Sequence, residues 1–396
     1  MNAAEGIVAF NAGRDPRRLA LKYARMRKSP FAFLRGSCHL FQASLARSAL
    51  PDSPPAWACG DLHFENFGSY KADNRLVHFD INDFDEAALA PASWDVVRFL
   101  ASLRTAASDL ALPEHETDGL CGDFLDRYAD ALAAGKARWV ERETATGAVA
   151  DLLGQVHERR RAEFLRKRTV GEGTRLALRV DSGKALPTTT EQRKRVGAFM
   201  EAFASTQSDR AFFEVIDVAD RIAGTGSLGT ERYVVLVRGR GAPDGHYLLD
   251  LKHAVASTLA AHVPLAQPPW RDEAVRIATL QQRMQAASMA FLHPVTLGRD
   301  AFVLRELQPG EDRVELDRTR DSLDRFREVI HTMADVVAWA QLRSAGRQGS
   351  ANADALVAFG ASQTWRDPLM AAARRAALEV IADWKAFVAA GEMPLQ

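Results

Sequence analysis

Cys59-Gly60-Asp61-Leu62-His63-Phe64-Glu65-Asn66, followed by Asp83-Phe84-Asp85, is the stretch on which the reading of this chain turns. Asp61 and Asn66 stand five positions apart. At that spacing a phosphoryl-transfer loop supplies a carboxylate that orients a substrate hydroxyl and an amide that binds Mg²⁺. A second carboxylate must reach the same metal from a following hairpin, and Asp83 comes just after the strand-like run Leu76-Val77-His78-Phe79. The competing reading is plain turn chemistry, because Asp and Asn bond their own backbone and tolerate the left-handed region. Asp80, Asp83, Asp85 and Glu86 favour the metal, since four carboxylates within seven residues repel unless water or a cation separates them. Asp61, Asn66 and Asp83 are therefore the candidate catalytic residues, and Asn66, Asp83 and Asp85 the candidate metal ligands.

A second constellation follows much later. Gly224-Thr225-Gly226-Ser227-Leu228-Gly229 joins two strand-like runs, whereas a dinucleotide fold would place a helix directly after the glycines. A glycine turn between strands is how kinases cover ATP phosphates, so Gly224, Gly226, Ser227 and Gly229 are candidate nucleotide contacts. The alternative is a glycine-rich hairpin with no ligand. Lys252 ends the third strand-like run, where a kinase keeps the lysine that contacts the α- and β-phosphates. Glu273 is the first candidate to hold that lysine, with Gln282 and Gln285 as alternatives, although the helix dipole alone explains an acid in a first turn. Glycines and lysine here follow the catalytic aspartates, which inverts the ordinary order. If both constellations belong to one site, the fold is circularly permuted, which domain termini lying close together at the surface allow.

Composition narrows the partners. The 51 basic and 51 acidic residues cancel, so no charge surplus points to nucleic acid or an anionic membrane. Cys38, Cys59 and Cys121 are too few and too scattered for a disulfide framework or a zinc site, as in a reducing compartment. No window nears the ~18 uninterrupted apolar residues of a membrane span. A cytoplasmic location is the expectation.

The spacing predicts helices from 15 to 50, broken at Ser29-Pro30 and Arg35-Gly36, and again over 94–105 with Ser93 as N-cap and on to about 168. Arg159-Arg160-Arg161 and Arg166-Lys167-Arg168 read first as a solvated face and second as a patch for an anionic substrate. Residues 169–195 read as an irregular connection, followed by a helix at 192–204 and a β-meander over 213–222, 232–237 and 246–252. A helix over 271–291, a strand over 301–307 and helices from 316 onward complete the pattern. This gives a helical catalytic-loop lobe (1–168), a connection (169–205), a small β-rich nucleotide-covering lobe (206–310) and a second helical part (311–396).

These residues, with Ser29-Pro30-Phe31-Ala32-Phe33-Leu34-Arg35-Gly36 and Trp94-Asp95-Val96-Val97-Arg98, make the chain resemble the bacterial family called domain of unknown function 2252 over nearly its whole length. The catalytic half is also similar to the aminoglycoside and choline phosphotransferases. Gly60, Asp61, His63 and Asn66 match their first motif, Asp83 takes the metal position, and Asp95 matches a later aspartate. That resemblance implies that Asp95 buttresses the loop without touching substrate. Cys59 replaces the family's leading histidine, Asp85 replaces the glycine after Asp-Phe, and Gln341 replaces a histidine in Ala340-Gln341-Leu342-Arg343-Ser344.

The expected fold is α+β and two-lobed, a protein-kinase-like fold in permuted order, with a mainly helical large lobe and a small antiparallel sheet. The expected activity is transfer of the ATP γ-phosphoryl group, with Mg²⁺, to a hydroxyl of a small molecule or peptide. Arg35 is a weaker candidate for an anionic group, with a helix-anchoring salt bridge as its alternative. Two rivals stand beside this reading: a nucleotide-binding pseudokinase or scaffold without turnover, and a hydrolase using Asp61, His63, Asp80 and Asp83 as ligands for a water-activating metal.

Overall fold

The computed structural model describes residues 2–180, 183–307, 313 and 322–394. The chain opens with four helices, α1 (Ala3–Asn11), α2 (Pro16–Met26), α3 (Pro30–Gly36) and α4 (Cys38–Leu45). Asp15 and Ser29 cap α2 and α3 through their side chains, each followed by a proline whose missing N–H would have no helical partner anyway. β1 (Pro55–Ala58) runs into the Cys59–Asn66 loop, β2 (Phe67–Lys71) and β3 (Val77–Ile81) form the next hairpin, and β4 (Ala88–Pro91) returns to pair with β1. After these come α5 (Ser93–Ala106), α6 (Glu114–Ala133), β5 (Val140–Glu141), α7 (Gly147–Glu158) and α8 (Arg161–Arg166). Ser93 does not cap α5: it is the first helical residue, and its hydroxyl meets that of Ser53 at 2.9 Å.

The stretch expected to be irregular contains three two-residue strands, β6 (Thr169–Val170), β7 (Ala177–Leu178) and β8 (Ala185–Leu186), before α9 (Thr190–Ser205). The meander is β9 (Val215–Arg221), β10 (Arg232–Val237) and β11 (Tyr247–His253). α10 (Thr258–His262), α11 (Glu273–Met284), β12 (His293–Leu297) and β13 (Asp300–Glu306) follow. The described chain closes with α12 (Leu323–Ser344), α13 (Ala353–Ala361) and α14 (Arg366–Ala389). The expected helix onset at 316 lies outside the described residues. The helix expected over 271–291 stops at Met284, where Gln285 turns extended and donates its side-chain amide to the carbonyl of Ile81 at 2.7 Å.

Six strands form one antiparallel sheet in the order β12-β13-β11-β10-β9-β8. Alternation gives each face a different job. Tyr233, Val235, Leu249, Leu251 and Leu304 pack beneath Val196 and Met200 of α9, while Val234, Leu236, Leu248 and Leu307 pack with Leu165, Leu178 and Ala185. Arg232 of β10 lies opposite Lys252 of β11, and Val234 opposite Asp250. The polar half of this second face therefore sits at one end of the sheet.

The larger core is built from both ends of the chain: Leu19, Phe33, Trp57, Phe99 and Phe124 share it with Val337, Leu369 and Phe387. Phe99 stacks on Phe124 with centroids 4.2 Å apart. Burying each such side chain stabilises by roughly 1.5–3 kcal/mol, so the N- and C-terminal helices are held together as one packed unit. Among the described residues no helix is long and apolar enough to cross a membrane.

Candidate active site

The loop after β1 is fixed from behind. Asp95, in the first turn of α5, is buried and accepts the backbone N–H of Cys59 (2.7 Å) and of Gly60 (2.9 Å). Gly60 adopts φ +84°, and a Cβ there would overlap the carbonyl oxygen of Glu86. Asn66 donates its amide to the carbonyl of Asp61 at 2.5 Å, and its own carbonyl accepts the Asn82 N–H at 2.8 Å, which ties the loop to the residues leading into Asp83. Arg98, one turn after Asp95, is fully buried and reaches Asp61 Oδ1 at 2.5 Å while donating to the carbonyl of Leu34. Burial pushes the Asp61 carboxyl up, and the Arg98 guanidinium opposes that rise.

Asp83 and Asp85 face the sheet. Lys252 Nζ lies 3.6 Å from Asp83 Oδ1 and forms a closer ion pair with Asp85, although 169 positions separate Lys252 from Asp83. The lysine side chain is 5% exposed and that of Asp83 44%. Partial burial resists ionisation of Asp83, but Lys252, Arg305 and Arg232 outweigh it and hold the carboxyl below its ordinary range. The glycine turn closes the same cleft at Gly224 (φ +73°), whereas Gly229 (φ +94°) lies against Arg14 and Leu19 and does not line it. The turn's carbonyls are taken from one side: Arg25 binds that of Gly224, Lys22 that of Gly226, and Arg14 those of Gly226 and Leu228. Asp61, Asn66, Asp83, Asp85, Gly224, Gly226 and Ser227 line one cleft.

Three expectations need correction. Glu273 does not hold Lys252; its carboxylate receives Arg276 Nε at 2.5 Å, one turn along the same helix, and Asp85 supplies the lysine's counter-charge instead. Gln282 is exposed and Gln285 is spent on Ile81, so neither alternative serves. Asp80 does not join the cleft: it is buried and takes the N–H groups of Ile81 and Ala286 and the guanidinium of Arg343. The four-ligand hydrolase set is therefore not assembled, and among the described residues no group of three or more His, Cys, Asp and Glu side chains is arranged to hold a metal. Arg35 pairs with Glu65 at 2.5 Å and lines the cleft as well. Sequence reading gave no role to Arg98, Lys22 or Arg276. The last of these clamps the carbonyls of Asp85, Ala87 and Val255, joining the Asp83–Asp85 turn to the end of β11.

The Asp95 buttress has a measurable signature. Burial pushes its carboxyl up to about 6, against the pull of the two loop N–H groups, from an ordinary 3.8. Between those values the folded chain binds more protons than the unfolded one. Its contribution is therefore complete below pH 3.8 and lost as pH rises through 6. From pH 4 to 6.5 the wild type should lose roughly 2–3 kcal/mol relative to Asp95→Asn, which cannot ionise. Urea denaturation of both proteins across that range measures the difference; parallel profiles would contradict it.

Residues 14–390 match the family described as "Uncharacterized protein conserved in bacteria (DUF2252)". The chain belongs to DUF2252. No curated protein and no solved structure matches this DUF2252 protein.

Proposed function

We propose that this DUF2252 protein is a kinase-like phosphotransferase, with a two-lobed fold in permuted order, that moves the γ-phosphoryl group of Mg·ATP to an acceptor hydroxyl. The observation that carries the reading is the meeting of Lys252 with Asp83 and Asp85 beneath the glycine turn and beside Asp61 and Asn66. The sheet supports it further. Glycine hairpin, lysine strand, helix and two more strands follow in chain order from β9 to β13, as a kinase small lobe requires. Both chain ends contribute to the helical core, so joining them and cutting before β9 would restore the ordinary order.

Mg²⁺ takes few protein ligands and completes its shell with water and phosphate oxygens. Asp83 and Asn66 fit that demand. The half-exposed Asp83 carboxylate lines the cleft, and the Asn66 side-chain oxygen accepts no hydrogen bond among the described residues, while its nitrogen donates to the carbonyl of Asp61. When bound, the ion neutralises phosphate charge. Lys252 would contact the α- and β-phosphates, leaving Asp85 to orient it in place of the missing helix glutamate. Asp61 would orient the acceptor hydroxyl and take its proton on Oδ2, the oxygen that Arg98 leaves free.

The Asp61–Arg98 pair also favours a second reading, a nucleotide-binding protein without turnover, because a guanidinium weakens the base. Two measurements separate the cases. Mg·ATP at 100-fold its Kd should stabilise the protein by about 2.7 kcal/mol in thermal denaturation, more than ATP or Mg²⁺ alone, and GTP serves as the comparison nucleotide. ADP release with an acceptor supports transfer, whereas stabilisation without any ADP release supports the binding protein. No nucleotide effect in either assay would end both.

A further inference from the structure

A second compartment adjoins the first along Arg35, Asn66, Asp83, Gly224, Thr225 and Arg313 and opens beneath the sheet. Eleven Lys or Arg side chains line it against two carboxylates, Glu65 and Asp83, in a chain whose total charge is zero. Ten of these cations come from three places, α2 and the residues after it, residues 167–184, and the polar end of the sheet, and Arg313 is the eleventh. Two carboxylates anchor the inner ones. Asp250, 1% exposed, receives Arg232 through two bonds (2.7 and 2.6 Å), Arg221 at 2.9 Å and Arg305 at 3.3 Å. Glu65 receives both Arg35 and Arg313.

One bidentate arginine already neutralises a buried carboxylate. A second and third guanidinium on Asp250 add half-buried positive charge that costs free energy unless an anion arrives. Burial, with Arg232 and Arg305 alongside, accordingly holds Arg221 below its ordinary range. At the mouth the charge continues: Lys28, Lys167 and Arg179 are exposed and make no ion pair among the described residues. A structural network explains Asp250–Arg232. It does not explain the rim. Mg·ATP does not need this much charge either: Gly224, Thr225, Asn66 and Asp83 line both compartments, but Lys252 and Asp61 do not line this one, and its cations extend out to Lys28, Lys167 and Arg179 at the mouth.

We propose that this compartment binds a small polyanion carrying several phosphate groups, such as a polyphosphorylated sugar or cyclitol or a short polyphosphate. Guanidinium forks match phosphate oxygens two at a time, and the rim lysines add charge without demanding one geometry. The site extends the phosphotransferase reading and does not depend on it; that reading decides only whether the polyanion is acceptor or donor.

The test uses the whole chain and calorimetry with myo-inositol hexakisphosphate, inorganic tripolyphosphate and glucose 6-phosphate, at low and high NaCl. Expected is binding of both polyphosphates at least about tenfold tighter than of the monophosphate, weakened by salt. The triple variant Lys28→Glu, Lys167→Glu, Arg179→Glu should lose a further tenfold or so while keeping its circular dichroism and melting temperature. Equal binding of all three probes, or unchanged hexakisphosphate binding in a folded triple variant, overturns the assignment. If the triple variant fails to fold, the single Lys167→Glu protein decides, with roughly a two- to fivefold loss expected and none contradicting. Repeating the titration with saturating Mg·AMP-PNP separates roles: a ternary complex marks an acceptor, mutual exclusion a donor. Polyanion binding without any nucleotide binding would sink the phosphotransferase reading and leave this site standing.

Discussion

Asp61→Asn is expected to lower turnover by about 10²–10⁴-fold while changing Mg·ATP affinity less than about threefold, because in the proposed mechanism the lost group meets the acceptor proton and not the metal. Asp83→Asn should show the reverse emphasis. Losing the charged ligand costs about 2–3 kcal/mol of Mg²⁺-dependent nucleotide binding, roughly 30- to 150-fold. The variant also leaves Lys252 with Asp85 alone, so part of the loss is the extra hold of that carboxylate on the lysine. Asp61→Asn has its own structural consequence, since Arg98 is fully buried and would keep its charge opposite a neutral amide. Urea denaturation of each variant separates that loss from the catalytic one. Titrating Mg·ATP into both proteins and following ADP release tests the split; equal affinities would remove the assigned roles.

Gly60→Ala should destabilise the fold by roughly 2–5 kcal/mol, combining the left-handed backbone penalty with steric overlap against Glu86. The damage is local and functional at once. Gly60 sits between the Asp95 anchor and Asp61, so relieving the overlap moves either the loop or the Asp83–Glu86 turn, and both carry site residues. Chemical denaturation reads the stability loss and Mg·ATP affinity reads the displacement. A variant within about 0.5 kcal/mol of wild type would show that the loop relaxes without strain.

The grouping of the candidate loop is legible because it is contiguous: Asp61, Asn66 and Asp83 lie within 23 positions, and spacing alone brings them to one turn and one hairpin. The glycine turn and Lys252 were legible through strand alternation, which fixes which residues of β10 and β11 share a face. Arg98 was not, because its link to Asp61 depends on how α5 packs behind the loop, 37 positions away. Glu273 misled although a local signal was present: Arg276 three residues on sits on the same helix face and takes the carboxylate first. The overrun of α11 had a different origin. Gln285-Ala286-Ala287-Ser288-Met289-Ala290 favours helix by composition, but the Gln285 bond to Ile81 and the Ala286 N–H bond to Asp80 draw the chain onto β3. The cationic rim was seen only in part, since Arg166-Lys167-Arg168 reads as a solvated face until the sheet and α2 bring other cations opposite it.

Calorimetric titration of ATP, with and without Mg²⁺, into wild type and Lys252→Met asks whether the two sequence-distant halves form one nucleotide site. The expected result is single-site binding that requires Mg²⁺ and weakens at least about tenfold in the variant, the worth of one charge-assisted phosphate contact. Binding that is equal in both proteins, or that ignores Mg²⁺, would contradict it.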